Sequence, residues 1–174
     1  GFTRIVFDEQ SCIRTAVEYL AEQNRTRPAL LLYEKPHYSN RARAETLNAS
    51  AAQRGMASPL IIEHRDHHTL NESLLSRFRE HGGIDALITD DSMLSLGLDI
   101  LRELEEVPGT SADILAIDNF GGNPDSWTVN YPRVRVNMKH LAHEVLTGLN
   151  RIIEGKQAAE QSMPYELVIS KSTE

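Results

Sequence analysis

The sequence predicts a doubly wound α/β domain, in which a mostly parallel sheet carries helices on both faces. Short apolar runs recur at near-constant intervals, because their starts at Ala29, Pro59, Ala86 and Asp113 are 30, 27 and 27 residues apart. Such an interval accommodates one strand, one helix and two short loops. The runs do not alternate apolar with polar residues, which is typical of parallel strands covered on both faces. Stretches with helical periodicity lie between them, and this alternation favours an open doubly wound sheet.

The individual elements follow from local patterns. Strands are predicted over 29–33, 60–63, 86–89, 114–117 and 167–170, and helices over 11–23, 41–54, 69–81, 92–105 and 138–154. Polar residues that cap helix N-termini stand at or near four of the starts, at Ser11, Ser39, Thr69 and Asp91. Glycines stand where the chain leaves three of the helices, at Gly55, Gly82 and Gly155. Because the sequence has no internal repeat and no linker-like stretch, we expect one domain over 1–174.

Composition excludes several classes of protein. A chain of 174 residues with 40% hydrophobic residues can bury about 70% of its unfolded surface without disulfides or bound metals. The single Cys12 forms no internal disulfide, which favours a cytoplasmic protein. The apolar runs are far shorter than the roughly 20 residues that a membrane helix needs. The net charge of −7 has the wrong sign for binding DNA phosphates directly.

Two helices differ in the width of their apolar faces. The apolar residues of 138–153 cover roughly 140° of the helical wheel, as in an ordinary one-faced helix. Those of 93–104 spread over roughly 200°, which leaves Leu94 and Leu98 beyond the edge that a sheet covers. Either this helix is deeply buried in the core, or these two leucines belong to a subunit interface.

Candidate binding residues follow the predicted strands, because ligands of doubly wound sheets lie beyond the carboxyl ends of the strands. Arg43 comes after the first strand of the series, Asp90 after the third and Asp118 after the fourth. Carboxylates that accept hydroxyl hydrogen bonds and a guanidinium that donates several suit a small polyhydroxylated or amide-bearing ligand. The alternative for Asp90 and Asp118 is that they only cap the helices or turns that follow.

Catalytic and metal sites are poorly supported. The sequence has no nucleophile elbow, no P-loop and no glycine-rich dinucleotide motif after a strand, so we predict neither an enzyme nor a cofactor. His64, Asp66, His67 and His68 could ligate a metal, but close neighbours on one loop seldom point inward together, and we predict no metal site. The pair Asp90-Asp91 is similar to the acidic pocket of response-regulator receivers, yet it comes too late in the chain for that fold.

Several segments, taken in order, resemble the effector-binding domain of the LacI/GalR family of transcriptional regulators. The best match is ALITDDSMLSLG at 86–97, which is similar to the family's strand, Asn-Asp pair and x-Met-Ala-Leu-Gly. Further matches are IVFD at 5–8 with TAVEYL at 15–20, NRARAE at 40–45 with AQRG at 52–55, VPG at 107–109 with DILAIDN at 113–119, and MPYELVISKST at 163–173. Each motif is loose by itself, but their common order spans nearly the whole chain.

The resemblance implies a fold like that of periplasmic sugar-binding proteins and a set of effector-binding residues. Arg43 matches the family's effector-binding arginine, with Ser39 just before it. Asp90 matches the polar position at the sheet edge, Asp118 the ligand-facing aspartate, and Phe7 an apolar position that flanks the ligand.

Three positions depart from the family pattern. Thr46 replaces a glycine, Asp90 replaces the commoner asparagine, and Val136 stands where the family often has glutamine. These departures affect the identity of the effector more than the fold.

The resemblance also implies how the chain is organised. The 174 residues correspond to a C-terminal subdomain, with its core at about 11–132 and 163–174, whereas helix 138–154 belongs to the N-terminal subdomain or bridges to it. The family's helix-turn-helix headpiece and the first half of its effector domain have no counterpart here. The length of the chain is therefore expected to reflect a fragment with half of the ligand cleft.

The expected function is that of a cytoplasmic effector-sensing domain that performs no chemistry. In the family, a small sugar or nucleoside-like effector binds between the subdomains and shifts a dimer between states of different operator affinity. The resemblance implies a homodimer that uses Leu94 and Leu98, and contact with operator DNA only through the headpiece. The alternative is a solute-binding protein of a sugar transport system, and the sequence upstream of residue 1 would decide between the two.

Overall fold

The structure, a computed structural model, describes residues 4–34, 38–66, 68–118, 131–156 and 160–169. The strands among these residues are β1 (Arg4–Phe7), β2 (Pro28–Tyr33), β3 (Leu60–His64), β4 (Ala86–Asp90), β5 (Asp113–Asp118), β6 (Arg133–Val136), β7 (Glu160–Met163) and β8 (Tyr165–Val168). The helices are α1 (Glu9–Glu22), α2 (Tyr38–Gln53), α3 (Glu72–Glu80), α4 (Leu94–Glu103) and α5 (Met138–Ile153). The predicted α/β class is confirmed.

Six of these strands form one sheet in the order β3-β2-β4-β5-β6-β8, and β1 pairs with β7 in a separate parallel pair. All neighbours in the large sheet are parallel except β8, which runs antiparallel to β6. The chain leaves β2 toward β3 on one side and then crosses back to β4 on the other. The order therefore reverses between β2 and β4, and such a switch point opens a crevice at the carboxyl ends of the two strands.

The core consists of two apolar layers, one on each face of the large sheet. Successive residues of β2 alternate between them, so that Leu30 and Leu32 pack in the layer with α1 and α2, whereas Ala29 and Leu31 pack in the layer with α3 and α4. Every residue of β4 and β5 is buried. This double coverage explains why the strands appear in the sequence as unbroken apolar runs.

The four predicted capping residues all lie near a helix start, as expected, but none of them is itself the N-cap. The carboxylate of Asp8 caps α1 by accepting the Ser11 N–H at 2.8 Å, and the side chain of Asn71 caps α3. Ser11 and Thr69 are therefore not the N-caps, because an Asx side chain nearby satisfies the exposed N–H groups instead. Asp91 begins a short 3-10 turn before α4, and Ser39 lies in the first turn of α2.

Three short strands, β1, β6 and β7, fall outside the five strands predicted from apolar runs. Each has four residues, and the residues of β7, EQSM, are mostly polar. Strand β8 lies two residues before the predicted 167–170. The predicted exits of three helices are confirmed, because Gly55, Gly82 and Gly155 adopt positive φ angles of 67°, 87° and 70°.

Helix α4 packs unusually close to the sheet through Gly97. A Cβ atom at this position would lie 3.0 Å from Ile114 Cδ1 and 3.1 Å from Leu87 Cδ2. Leu94 is fully buried in the same layer, and Leu98 is only partly buried. Leu94 is therefore enclosed by the core of its own chain, and the role of both leucines in a subunit interface stays a prediction.

Helix α5 exposes most of its apolar face. Its exposed large apolar residues are Met138, Val145, Leu146, Leu149, Ile152 and Ile153, with exposed fractions from 39% to 81%. Gly148 is its one buried residue, and Leu141 packs in part against the core. The residues that the structure describes therefore leave this face largely uncovered. No described helix combines the length and the apolar character that crossing a membrane requires.

Candidate functional site

The candidate site lies at the carboxyl ends of β2 and β4, at the switch point of the sheet. Three elements meet there: the start of α1, the first turns of α2 and the end of β4. The side chain of Asn40 donates to the Tyr33 carbonyl at 2.9 Å, and the Tyr33 N–H donates to Asp90 Oδ2 at 3.3 Å. These two bonds hold the start of α2 and the end of β4 against the last residue of β2.

A buried ion cluster joins the three elements through Arg43. Its Nε donates to Glu9 Oε2 at 2.6 Å, and its Nη1 donates to Asp90 Oδ1 at 2.7 Å. The three side chains are 3%, 9% and 10% exposed for Arg43, Glu9 and Asp90. Burial by itself would lower the pKa of Arg43, but Asp90 and Glu9 outweigh it and hold that pKa above its usual range. The guanidinium therefore stays charged at any pH at which the protein is folded.

Two further polar side chains lie against this cluster. Burial, together with the charge of Glu9, raises the pKa of the Tyr165 hydroxyl, and Arg43 lowers it. That hydroxyl is buried, and Arg43 acts on it both through its charge and through a side-chain hydrogen bond. Burial also raises the pKa of the Cys12 thiol above its usual range, with a smaller opposing effect of Arg43. The thiol stays protonated at neutral pH and is a poor nucleophile.

Two further carboxylates, those of Asp118 and Asp91, lie near the ion cluster. The Asp118 carboxylate is buried, with its Oδ2 4.0 Å from Arg133 Nε. Asp91 is partly exposed and accepts the Ser92 N–H at 2.8 Å. Burial raises the pKa of Asp91, the Ser92 hydrogen bond lowers it, and the charges of Asp118 and Asp90 raise it. Asp91, which directly follows β4, is thus close enough to Asp118 at the end of β5 for their charges to repel.

The predicted binding residues divide into two groups. Arg43 and Asp90 are in direct contact, and Asp118 is the last residue of the neighbouring strand β5, so these three lie together at one edge of the sheet. Ser39 lies partly exposed in the first turn of α2, and Phe7, at the end of β1, packs against the core layer that contains α1. The role of each as a ligand contact stays a prediction.

Glu9 and Arg133 were not among the residues predicted from sequence. An acidic residue in the first turn of a helix is usually explained by the helix dipole, so Glu9 does not stand out. Arg133 opens a strand in which arginine and valine alternate, and this pattern is typical of a half-exposed strand. An inward-facing ion partner is recognisable only once the fold brings the elements together.

The described residues contain no candidate metal site. Among the residues that the structure describes, no group of three or more His, Cys, Asp or Glu side chains is arranged to hold a metal ion. Asp66 accepts the backbone N–H groups of His68 and Thr69 and thereby closes its own loop. His67 and Asn119 lie outside the described residues.

No protein-family model matches the chain. No curated protein matches it either.

Solved structures, by contrast, match the fold closely. A LacI transcriptional regulator from a Rhodococcus species aligns with a TM-score of 0.76 at 17% identity, over 98% of this chain and 69% of that one. A LacI family regulator from Arthrobacter sp. FB24 in complex with lactose gives 0.73 and 19%, over 98% and 66%. A periplasmic binding protein/LacI transcriptional regulator from Alkaliphilus metalliredigens QYMF, complexed with D-xylulofuranose, gives 0.71 and 15%, over 99% and 66%. The expected periplasmic-binding-protein-like fold is confirmed, and the chain spans about two thirds of the length of these structures.

Replacing Arg43 tests whether the ion cluster holds these elements together. Arg43→Met keeps the aliphatic stem but leaves Glu9 and Asp90 buried without their cation, so we expect a loss of about 3–5 kcal/mol in the free energy of unfolding. The matched control is Arg41→Met on the same helix, where the ion pair with Glu45 is exposed, so its loss is expected to have little effect on stability. Urea denaturation measures both, and equal losses in the two variants would contradict the assignment.

Proposed function

We propose that the chain is the effector-sensing part of a LacI-type transcriptional regulator that binds a small polyhydroxylated ligand, a sugar or a nucleoside-like molecule, without chemical conversion. The observation that carries the proposal is the buried cluster of Arg43, Glu9 and Asp90 at the switch point of the sheet. Ligands of this type of sheet bind at such a point. The fold, which is shared with regulators solved in complex with sugars, supports the same conclusion.

The residues of the site have different tasks in this proposal. Asp118 and Asp91 accept hydrogen bonds from ligand hydroxyl groups, since carboxylates accept paired hydroxyl donors well. Arg43 contributes to the site and holds Asp90 and Glu9 in place. Ser39 and Phe7 lie at the rim, where a hydroxyl and an apolar ring flank the ligand. The buried Cys12 thiol is protonated and takes no part as a nucleophile in this proposal.

The second wall of the ligand cleft is proposed to come from residues outside these 174. Helix α5 leaves Leu146 62% exposed and Leu149 51% exposed, and the chain spans about two thirds of the length of the matched structures. We assign the sheet core, about 11–132 and 163–174, to one subdomain and α5 to a second subdomain or to a bridge between the two. Because this chain has a net charge of −7, we assign the binding of operator DNA to a separate headpiece. We place the whole protein in the cytoplasm.

Calorimetry against a panel of sugars and nucleosides tests the proposed site in the full-length gene product. We expect at least one compound to bind, and Asp118→Asn to weaken it about 10-fold or more, because a charge-assisted hydrogen bond is lost. Asp99→Asn on α4 is the matched control and leaves the affinity unchanged. The 174-residue chain alone binds weakly or not at all. The site assignment fails if Asp118→Asn and Asp99→Asn bind equally well.

Dimerisation through α4 is proposed for its partly exposed side, where Leu98 lies. A charge placed there would be buried unpaired in an interface, so Leu98→Glu is expected to convert a dimer to a monomer. Analytical ultracentrifugation of the full-length protein measures this. A wild-type monomer, or a Leu98→Glu variant that remains dimeric, would refute the interface.

A further inference from the structure

The β1–β7 pair is joined to the large sheet and its helices by two connections that lie side by side. Asp8 is the one residue between β1 and α1, and Pro164 is the one residue between β7 and β8. Beside these connections Phe7 is in register with Met163, and both side chains pack in the apolar layer that contains α1 and α2. The opposite end of the pair is exposed. The pair is therefore held most firmly at the end where the connections begin.

Hydrogen bonds tie the two connections to each other. The Asp8 N–H donates to the Met163 carbonyl at 2.9 Å. The Ser11 hydroxyl donates to the Asp8 carbonyl at 3.0 Å and accepts the Tyr165 N–H at 3.2 Å, although Ser11 and Tyr165 are 154 residues apart. One hydroxyl group thus joins the two connections. We call the four residues Asp8, Ser11, Met163 and Tyr165 the clasp.

Arg43 contacts both the clasp and the candidate site. It binds Asp90, the last residue of β4, at 2.7 Å, and Glu9, the first residue of α1, at 2.6 Å. It also donates a side-chain hydrogen bond to the hydroxyl of Tyr165, the first residue of β8. One guanidinium group therefore touches the strand end at the site and the first residue beyond each connection.

The burial of these side chains means that a change at the site is not absorbed locally. Arg43, Glu9 and Asp90 are nearly inaccessible to water, and close-packed protein interiors transmit displacements. A ligand group that binds Arg43 or Asp90 competes for the same guanidinium and alters its contacts with Glu9 and Tyr165. Such a change reaches both connections at once, because each of them is followed by a residue that Arg43 contacts.

We propose that the clasp passes this change to the β1–β7 pair, so that occupancy of the site sets the direction in which the pair leaves the large sheet. Ser11 is the positioning residue of this coupling, because its hydroxyl makes the two connections move together. The ligand shifts the pair to the extent that it binds one arrangement better than another. This coupling deepens the proposed function and rests on it.

Hydrogen exchange of the full-length gene product, measured by mass spectrometry without added effector, tests whether the site and the pair are coupled. Asp90→Asn weakens the hold of Arg43 at the site but leaves its pair with Glu9, so the variant is expected to fold. We expect residues 5–12 and 161–168 to exchange about 5-fold faster, with a change of less than about 2-fold in β3. A rise that is equal in all three segments overturns the coupling.

The control for this variant is Asp85→Asn, which alters a buried carboxylate directly before β4, at the opposite end of that strand. It is expected to speed exchange of 5–12 and 161–168 no more than exchange of β3. A selective rise in 5–12 and 161–168 with Asp85→Asn as well would overturn the coupling, because any weakening of the sheet would then produce it.

Variants of Ser11 test the clasp itself in the same assay. Ser11→Ala removes the hydroxyl that joins the two connections, so adding Asp90→Asn to it is expected to speed exchange of 161–168 by less than about 2-fold. Ser11→Thr keeps a hydroxyl and keeps the response of about 5-fold. The control is Ser76→Ala, which removes a hydroxyl that donates to the Ser73 carbonyl at 3.0 Å on the exposed side of α3. A full response in the Ser11→Ala background overturns the role of Ser11.

Neither assay contains an effector. A negative result in them contradicts the coupling alone, whereas an absence of binding in the calorimetric panel contradicts the proposed function.

Discussion

The contact of Arg43 with Glu9 and Asp90 is the interaction on which the candidate site depends. It joins the start of α1, the first turns of α2 and the end of β4, three elements that are far apart in sequence. An ion pair of this kind at a surface contributes little, but here all three side chains are nearly inaccessible to water. Each member therefore requires the others, since a lone buried charge is strongly destabilising. This mutual requirement fixes the positions of the carboxylates at the sheet edge.

The topology explains why the cluster forms at this place. The chain reverses its direction of winding between β2 and β4, and the helices that follow these strands therefore diverge to opposite faces. At the carboxyl end of these strands, the polar side chains of the cluster can pair with one another without disrupting either apolar layer. Gly97 allows α4 to approach the sheet closely on one face, and α1 and α2 close the other.

The sequence predicted the large features of the fold because they depend on repeated local patterns. The central strands β2, β4 and β5 are buried on both faces, and burial of this kind requires unbroken apolar runs. Strands β1 and β7 could not be predicted in this way, because they are short and pair with each other over a separation of more than 150 residues. In the site, Arg43 and Asp90 could be predicted because they come directly after or soon after predicted apolar strands. Glu9 does not, since its inward orientation is set by the packing of α1 on α2.

A double-mutant cycle on Arg43 and Asp90 tests most directly whether the cluster acts as one unit. The free energy of unfolding is measured for the wild type, Arg43→Met, Asp90→Asn and the double variant. Residues that share a buried contact couple by about 0.5–3 kcal/mol, and the account predicts a value of about 2 kcal/mol in this range. Losses that add within about 0.3 kcal/mol would contradict it, because Arg43 and Asp90 would then contribute independently to the fold.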